Sequence, residues 1–181
     1  MMYKLLSNIL LASVLTIPAE GWGQNKDTKG KPELKWKPFD NGFLEAQKGR
    51  KKLMLDVYTD WCGWCKKLDR DVYGDEQVSR YLNDRYVVVK LNAEDTSTVS
   101  YKDKKYSKID LARSFGVSGY PTIIFFDSNG DAINSLGGYV AADKFLQIVK
   151  YIGGDYYKSM TWEKYQETAD SQSPKEHRDN R

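Results

Sequence analysis

Cys62 and Cys65, in Trp61-Cys62-Gly63-Trp64-Cys65, are the only cysteines in this 181-residue chain. A pair at this spacing can close as a disulfide, open, and exchange with disulfides elsewhere. A bridge across so short a loop removes little entropy from the unfolded chain, so redox chemistry explains it better than stapling of the fold. Zinc would need about four ligands. The sole histidine, His177, lies in a polar tail and no second cysteine pair exists, so no metal site is expected.

The elements around the pair supply its chemistry. Leu53 to Tyr58 is a compact apolar run broken only by Asp56, and reads as a buried strand. Cys62 follows at the next turn, and from Cys65 the chain reads helical through Leu68 and Val72. At the first turn of that helix Cys62 would meet unpaired backbone N–H groups and the positive end of the dipole, which favour a thiolate. Cys62 is therefore expected to titrate below a free cysteine and to attack, and Cys65, one turn inward, to resolve the mixed disulfide. Burial of Asp56 would raise its pKa and keep a proton available near neutrality. A buried ion pair with no catalytic part is the alternative.

The remaining pattern alternates strands and helices. Asp40 or Asn41 reads as the cap of a short helix carrying Phe43, Leu44 and Ala46 and ended by Gly49. A break near Gly74-Asp75 precedes a second helical stretch with Val78, Tyr81 and Leu82. Tyr86 to Leu91 is a second buried strand. Asp95 to Lys108, almost devoid of apolar residues, reads as a solvated excursion leading to a helix over Ile109 to Phe115, ended by Gly116. Thr122 to Phe126 is a strand, Ser128-Asn129-Gly130 an Asn-Gly hairpin turn, and Ala132 to Leu136 its antiparallel return. Val140, Phe145, Leu146, Val149 and Ile152 line one face of a last helix. This order describes an α/β fold, a central mixed β-sheet flanked by helices.

The ends differ from this core. Lys4, an apolar run of 13 residues from Leu5 to Ile17, then Pro18 and small residues at Ala19, Gly21 and Gly23 read as a cleavable signal peptide over residues 1–23. The run is short of the roughly 20 residues that span a bilayer. An exported chain with no stable membrane insertion after cleavage is expected. Residues 24–37 read as a charged linker, 38–153 as the domain, 154–169 as a short extension with Tyr156, Tyr157, Trp162 and Tyr165 folded back, and 170–181 as a disordered tail. With 28 Lys and Arg interspersed among 25 Asp and Glu, the net charge of +3 announces no nucleic-acid face.

From Leu53 to Ile152 the chain resembles the thioredoxin family. The resemblance rests on Leu55-Asp56-Val57-Tyr58-Thr59-Asp60-Trp61-Cys62-Gly63-Trp64-Cys65-Lys66, on Lys90-Leu91-Asn92, and on Gly119-Tyr120-Pro121-Thr122. Asp71-Val72-Tyr73-Gly74-Asp75-Glu76-Gln77-Val78 is similar in style to exported thioredoxin-like proteins and to the periplasmic thioredoxin-like domain of membrane disulfide interchange reductases. The resemblance implies a thioredoxin fold and a thiol-disulfide oxidoreductase without cofactor beyond the Cys62/Cys65 disulfide. It also implies a cis peptide before Pro121, backbone hydrogen bonds from Tyr120 to an extended substrate, and Lys90 beside Asp56, which serves Cys65 as proton donor and acceptor.

By itself, Pro121 could simply begin a strand. Trp61, Gly63 and Trp64 would face the substrate, with the two indoles as an apolar rim, although packing explains Trp61 equally well. Gly137 resembles the family's groove glycine, or belongs to an ordinary strand-to-helix turn. Trp64 stands where thioredoxin itself carries proline, which leaves open whether the protein reduces, oxidises or isomerises disulfides. The implied partners are proteins with disulfides and a membrane-bound electron donor; a binding module with an inert bridge is the alternative.

Overall fold

A computed structural model describes residues 32–172. The expected signal peptide, residues 24–31 of the expected linker, and residues 173–181 of the tail lie outside the described residues.

Four strands make the main sheet, in the order β2-β1-β5-β6: β1 Lys52–Tyr58, β2 Tyr86–Asn92, β5 Thr122–Phe126 and β6 Ala132–Gly137. β1 runs parallel to β2, with Asp56 opposite Lys90, and antiparallel to β5, with Asp56 opposite Ile123. Both inner strands read as continuous apolar runs because both faces are covered. On one face Leu53, Leu55, Val57, Val89 and Phe126 pack against α1 (Phe39–Gly49) and α4 (Lys108–Ser114). On the other, Met54, Val88, Ile123 and Phe125 pack under α2 (Gly63–Leu68), α3 (Glu76–Arg85) and α5 (Ala142–Gly153). Strand alternation puts Asp56 on this second face, in line with Met54.

α2 does not end at Leu68. A π-helical turn, Asp69–Tyr73, continues it to Gly74, and Asp75 then caps α3 by accepting from the N–H groups of Gln77 and Val78. The extra residue of a π turn rotates the chain beyond it, and Val72 and Tyr73 are buried in the same core as Leu68.

Several expectations are corrected. α1 begins at Phe39 behind Pro38, with no side-chain cap. Asp40 lies inside its first turn and accepts from the N–H of Ser100 instead. The stretch Asp95 to Lys108 is not a solvated excursion: it holds a hairpin, β3 (Thr98–Tyr101) and β4 (Lys104–Ser107), with Lys102 and Asp103 left-handed at the turn. Buried Val99 and half-buried Tyr101 and Tyr106 fasten it to the first core, so three apolar side chains anchor a segment whose other residues are polar. The β5–β6 connection is wider than a two-residue Asn-Gly turn. It spans residues 127–131, and the Asp127 carboxylate accepts from the N–H groups of Asn129 and Asp131.

At the ends, Lys37 bridges to Val89 on the free edge of β2, and Leu34 and Trp36 pack against the second core. The end of the segment read as a linker is thus seated on the domain. Beyond α5 a 3₁₀ turn (Tyr156–Lys158) and α6 (Trp162–Gln172) follow, and Tyr151 of α5 meets Trp162 edge-on and Tyr165 at a tilt, joining the two helices. α6 continues past residue 169 because its backbone remains helical to Gln172. Among the described residues no helix is long and apolar enough to cross a membrane.

Candidate active site

β1 ends at Tyr58, and a tight turn, closed by the Cys62 N–H donating to the Thr59 carbonyl at 3.2 Å, delivers the chain to α2. Cys62 is the N-cap of α2. Its Sγ accepts from the backbone N–H of Cys65 at 3.0 Å, so one of the helix's unpaired donors points at the sulfur. Cys62 and Cys65 are joined by a disulfide, and only 3% and 4% of their surfaces are exposed.

Topology brings the other landmarks to this end of the sheet. Because β5 is antiparallel to β1, its first residue, Thr122, lies at the end where β1 releases the cysteine turn, and Gly137, the last residue of β6, pairs with Thr122. The Tyr120–Pro121 peptide preceding β5 is cis, and the Pro121 carbonyl accepts from the Gly138 N–H at 2.8 Å. Gly138 needs its positive φ of 79°. A side chain at Gly63 or Gly137 would meet open space, so nothing steric demands glycine at either.

Trp61 and Trp64 are 67% and 58% exposed. Each is nonetheless held. The Trp61 ring meets Tyr120 edge-on at 5.9 Å, and its Nε1 donates to Glu94 at 2.8 Å. The Trp64 ring lies 5.6 Å from Tyr139, over which the Lys67 ammonium sits at 5.1 Å. Two aromatic pairs therefore adjoin the disulfide in sequence, Trp61 just before Cys62 and Trp64 just before Cys65.

Asp56 is 1% exposed, and its Oδ1 has no hydrogen-bond partner. Burial pushes its carboxyl up to about 7, against the pull of Lys90. Lys90 stands beside Asp56, with Nζ 3.7 Å from Oδ2, but its ammonium bonds to Asp69. The same ammonium faces the rings of Trp36 at 5.0 Å, Tyr58 at 5.2 Å and Tyr73 at 5.9 Å. Two acids thus share one lysine, and the buried one receives the weaker part. The Tyr73 hydroxyl is buried without a partner as well, and burial followed by the charge of Asp56 raises its pKa well above the usual phenol value.

The structure places all ten residues singled out in the sequence toward the end of the sheet where β1 releases the cysteine turn: Asp56 and Lys90 side by side on β1 and β2, Gly137 closing β6, and the others in the turns and helix start that adjoin β1 and β5. Sequence reasoning missed Trp36, Asp69, Tyr73, Glu94 and Tyr139. Asp69, four residues beyond Cys65 along a helix, could have been found from that spacing; Trp36 and Glu94 carried no such signal. Among the described residues no cluster of His, Cys, Asp or Glu is arranged to hold a metal.

Comparison with known proteins agrees with this geometry. The family profile of a thioredoxin-like domain matches residues 39–153. The thiol:disulfide interchange protein DsbD of Yersinia pestis (strain Pestoides F) is 32% identical over 149 residues, covering 77% of this chain and 24% of that protein. The chain thus spans about a quarter of the length of the curated relatives it matches. A solution structure from Bacteroides thetaiotaomicron, named as a candidate disulphide-isomerase, is 27% identical with a TM-score of 0.56, covering 73% of this chain and 99% of that one. A thioredoxin-fold protein from Helicobacter pylori superposes with a TM-score of 0.57 at 21% identity, over 68% of this chain and 82% of its own, which speaks to the fold alone.

Proposed function

Since the chain belongs to the family of thioredoxin-like domains, we propose that it is an exported thiol-disulfide oxidoreductase that reduces disulfides in other proteins, cycling Cys62 and Cys65 without another cofactor. The observation that carries the proposal is the Cys62–Cys65 disulfide at the cap of α2, the helix that covers the sheet face on which burial has brought the Asp56 carboxyl to about 7.

In the reduced protein the Cys62 thiolate, stabilised by the Cys65 N–H and the helix N-terminus, attacks one sulfur of a substrate disulfide. A Cys62–substrate bond forms, and the substrate's other sulfur leaves as a thiolate that takes up a proton. Cys65 then gives its proton to the Asp56 carboxylate and attacks Cys62 Sγ. The Cys62–Cys65 bond forms, the Cys62–substrate bond breaks, and the second substrate sulfur leaves as a thiol once protonated. Two electrons have passed from the dithiol to the substrate. A carboxyl near 7 holds and releases that proton at neutral pH. The exposed aromatic pairs Trp61/Tyr120 and Trp64/Tyr139 offer apolar faces to the polypeptide that carries the disulfide. Signal-like residues 1–23 support export, and the interchange proteins it resembles support recharging by a membrane-bound donor of electrons.

The test is the reduction potential of the pair, measured by equilibrating the mature chain with dithiothreitol or glutathione and following fluorescence from Trp61 and Trp64. A strongly reducing value is expected. A value near that of known oxidants would replace the reductase by an oxidase or isomerase, and a bridge that resists reduction would leave a binding module.

A further inference from the structure

A cavity of about 460 Å³ opens between the segment before α1, the π turn and β2, lined by Leu34, Trp36, Asp69, Tyr73, Gly74 and Lys90 among others. None of its lining residues belongs to the aromatic pairs or the disulfide. Asp56 does not line it either. Tyr73 and Lys90 do: Lys90 lies 3.7 Å from Asp56, and its ammonium stands 5.9 Å from the ring of Tyr73, whose hydroxyl pulls the Asp56 pKa down. These two side chains thus link the lining of the cavity to Asp56.

The link is asymmetric. Lys90 is engaged by Asp69 and by three rings, whereas the Tyr73 hydroxyl and Asp56 Oδ1 are both buried and unpartnered. Two such buried groups leave a large desolvation penalty unless they meet directly or through one water. Packing alone does not require the hydroxyl, because the Tyr73 ring's contacts with Trp36 and Phe145 would be made equally by phenylalanine.

We propose that the Tyr73 hydroxyl is the donor that supports Asp56 in its ionised form and the side chain past which its proton exchanges with the cavity, which makes Tyr73 a positioning residue for the proton-transfer step. The inference rests on the redox reading of the site. It separates the two traffic routes: substrate covers the disulfide end while the proton from Cys65, received by Asp56, leaves past Tyr73. The other charged or titratable groups facing Asp56 are Lys90 from β2 and Asp69 from the π turn, with Tyr58 beside Lys90 and Glu33 on the cavity's outer wall. Ile123 from β5 brings none.

The test is Tyr73→Phe, read in two ways. Loss of a donor to the carboxylate should raise the proton affinity of Asp56 by about tenfold, or about one pH unit. The pH range over which the oxidised protein loses stability should extend upward by that amount, and the midpoint of the Cys65 resolution step in single-turnover exchange should move with it. Against an Asp56→Asn background the same substitution should move neither. Unmoved midpoints in the single variant, with stability unchanged or raised at every pH, would overturn the proposal, as would a shift that persists without Asp56. The stability arm needs no turnover, so a chain that exchanges no disulfide would defeat the redox reading while the stability midpoint still decided whether Tyr73 sets Asp56.

Discussion

Replacing Asp56 by asparagine should make the oxidised protein more stable, but only at high pH. Burial holds the Asp56 carboxyl at about 7 against an ordinary value of 3.8, so between those limits the folded protein binds a proton that the unfolded chain has released. Stability then falls as pH rises, because the native state holds more protons than the unfolded one, and the fall stops above the folded value. The interval is a little over three pH units, which at about 1.4 kcal/mol per unit amounts to a loss of about 4 kcal/mol by pH 9. Asparagine resembles the protonated acid in size and polarity and does not ionise. The variant should match the parent near pH 4 and exceed it by an amount that grows to about 4 kcal/mol, the Lys90 attraction already being contained in the shift. Urea denaturation of the oxidised forms at half-unit steps from pH 4 to 9, followed by tryptophan fluorescence, reads the difference directly. A gap that stays constant with pH, or a parent that gains stability between pH 5 and 7, would show that Asp56 is ionised throughout and would refute the argument from burial.

Two further outcomes test the packing. Phe145→Ala empties a fully buried position of α5 that meets Tyr73 edge-on, and should lower stability by about 3–5 kcal/mol in denaturant titration; a loss under about 1 kcal/mol would mean that the second core closes over the hole. Arg50 follows α1 in a left-handed conformation, φ 50° and ψ 37°, so Arg50→Gly should raise the thermal midpoint through a gain of about 1 kcal/mol, and an unchanged or lower midpoint would deny that the backbone there is strained.

The sheet was legible because β1 and β2 are covered on both faces, so Leu53–Tyr58 and Tyr86–Leu91 stand out as apolar runs in a charged chain. Helix spacing located α3 and α5 in the same way. What escaped was held by few residues. The β3–β4 hairpin depends on Val99, Tyr101 and Tyr106, and its turn places Lys102 and Asp103 at positive φ where glycine or asparagine would have advertised it. The start of α1 escaped because Asp40, the best capping residue by type, was taken by Ser100, sixty residues away. Such a contact exists only once the hairpin has docked.

The site divides along the same line. Cysteine spacing and the single acid in an apolar strand were visible because they break local pattern, and a fold tolerates such breaks mainly where function requires them. The lysine's allegiance was not visible. Strand register sets Lys90 opposite Asp56, and on register alone the two would form a buried ion pair that keeps the acid ionised. The π turn after α2 weakens this pairing by bringing Asp69 to the same ammonium, with Tyr73 beside it. With Lys90 drawn to the more exposed acid, desolvation outweighs attraction at Asp56, and its carboxyl rises into the range where it can pass a proton. The irregular turn, unreadable from periodicity, thus adds the charge of Asp69 to the burial that makes Asp56 a titrating group.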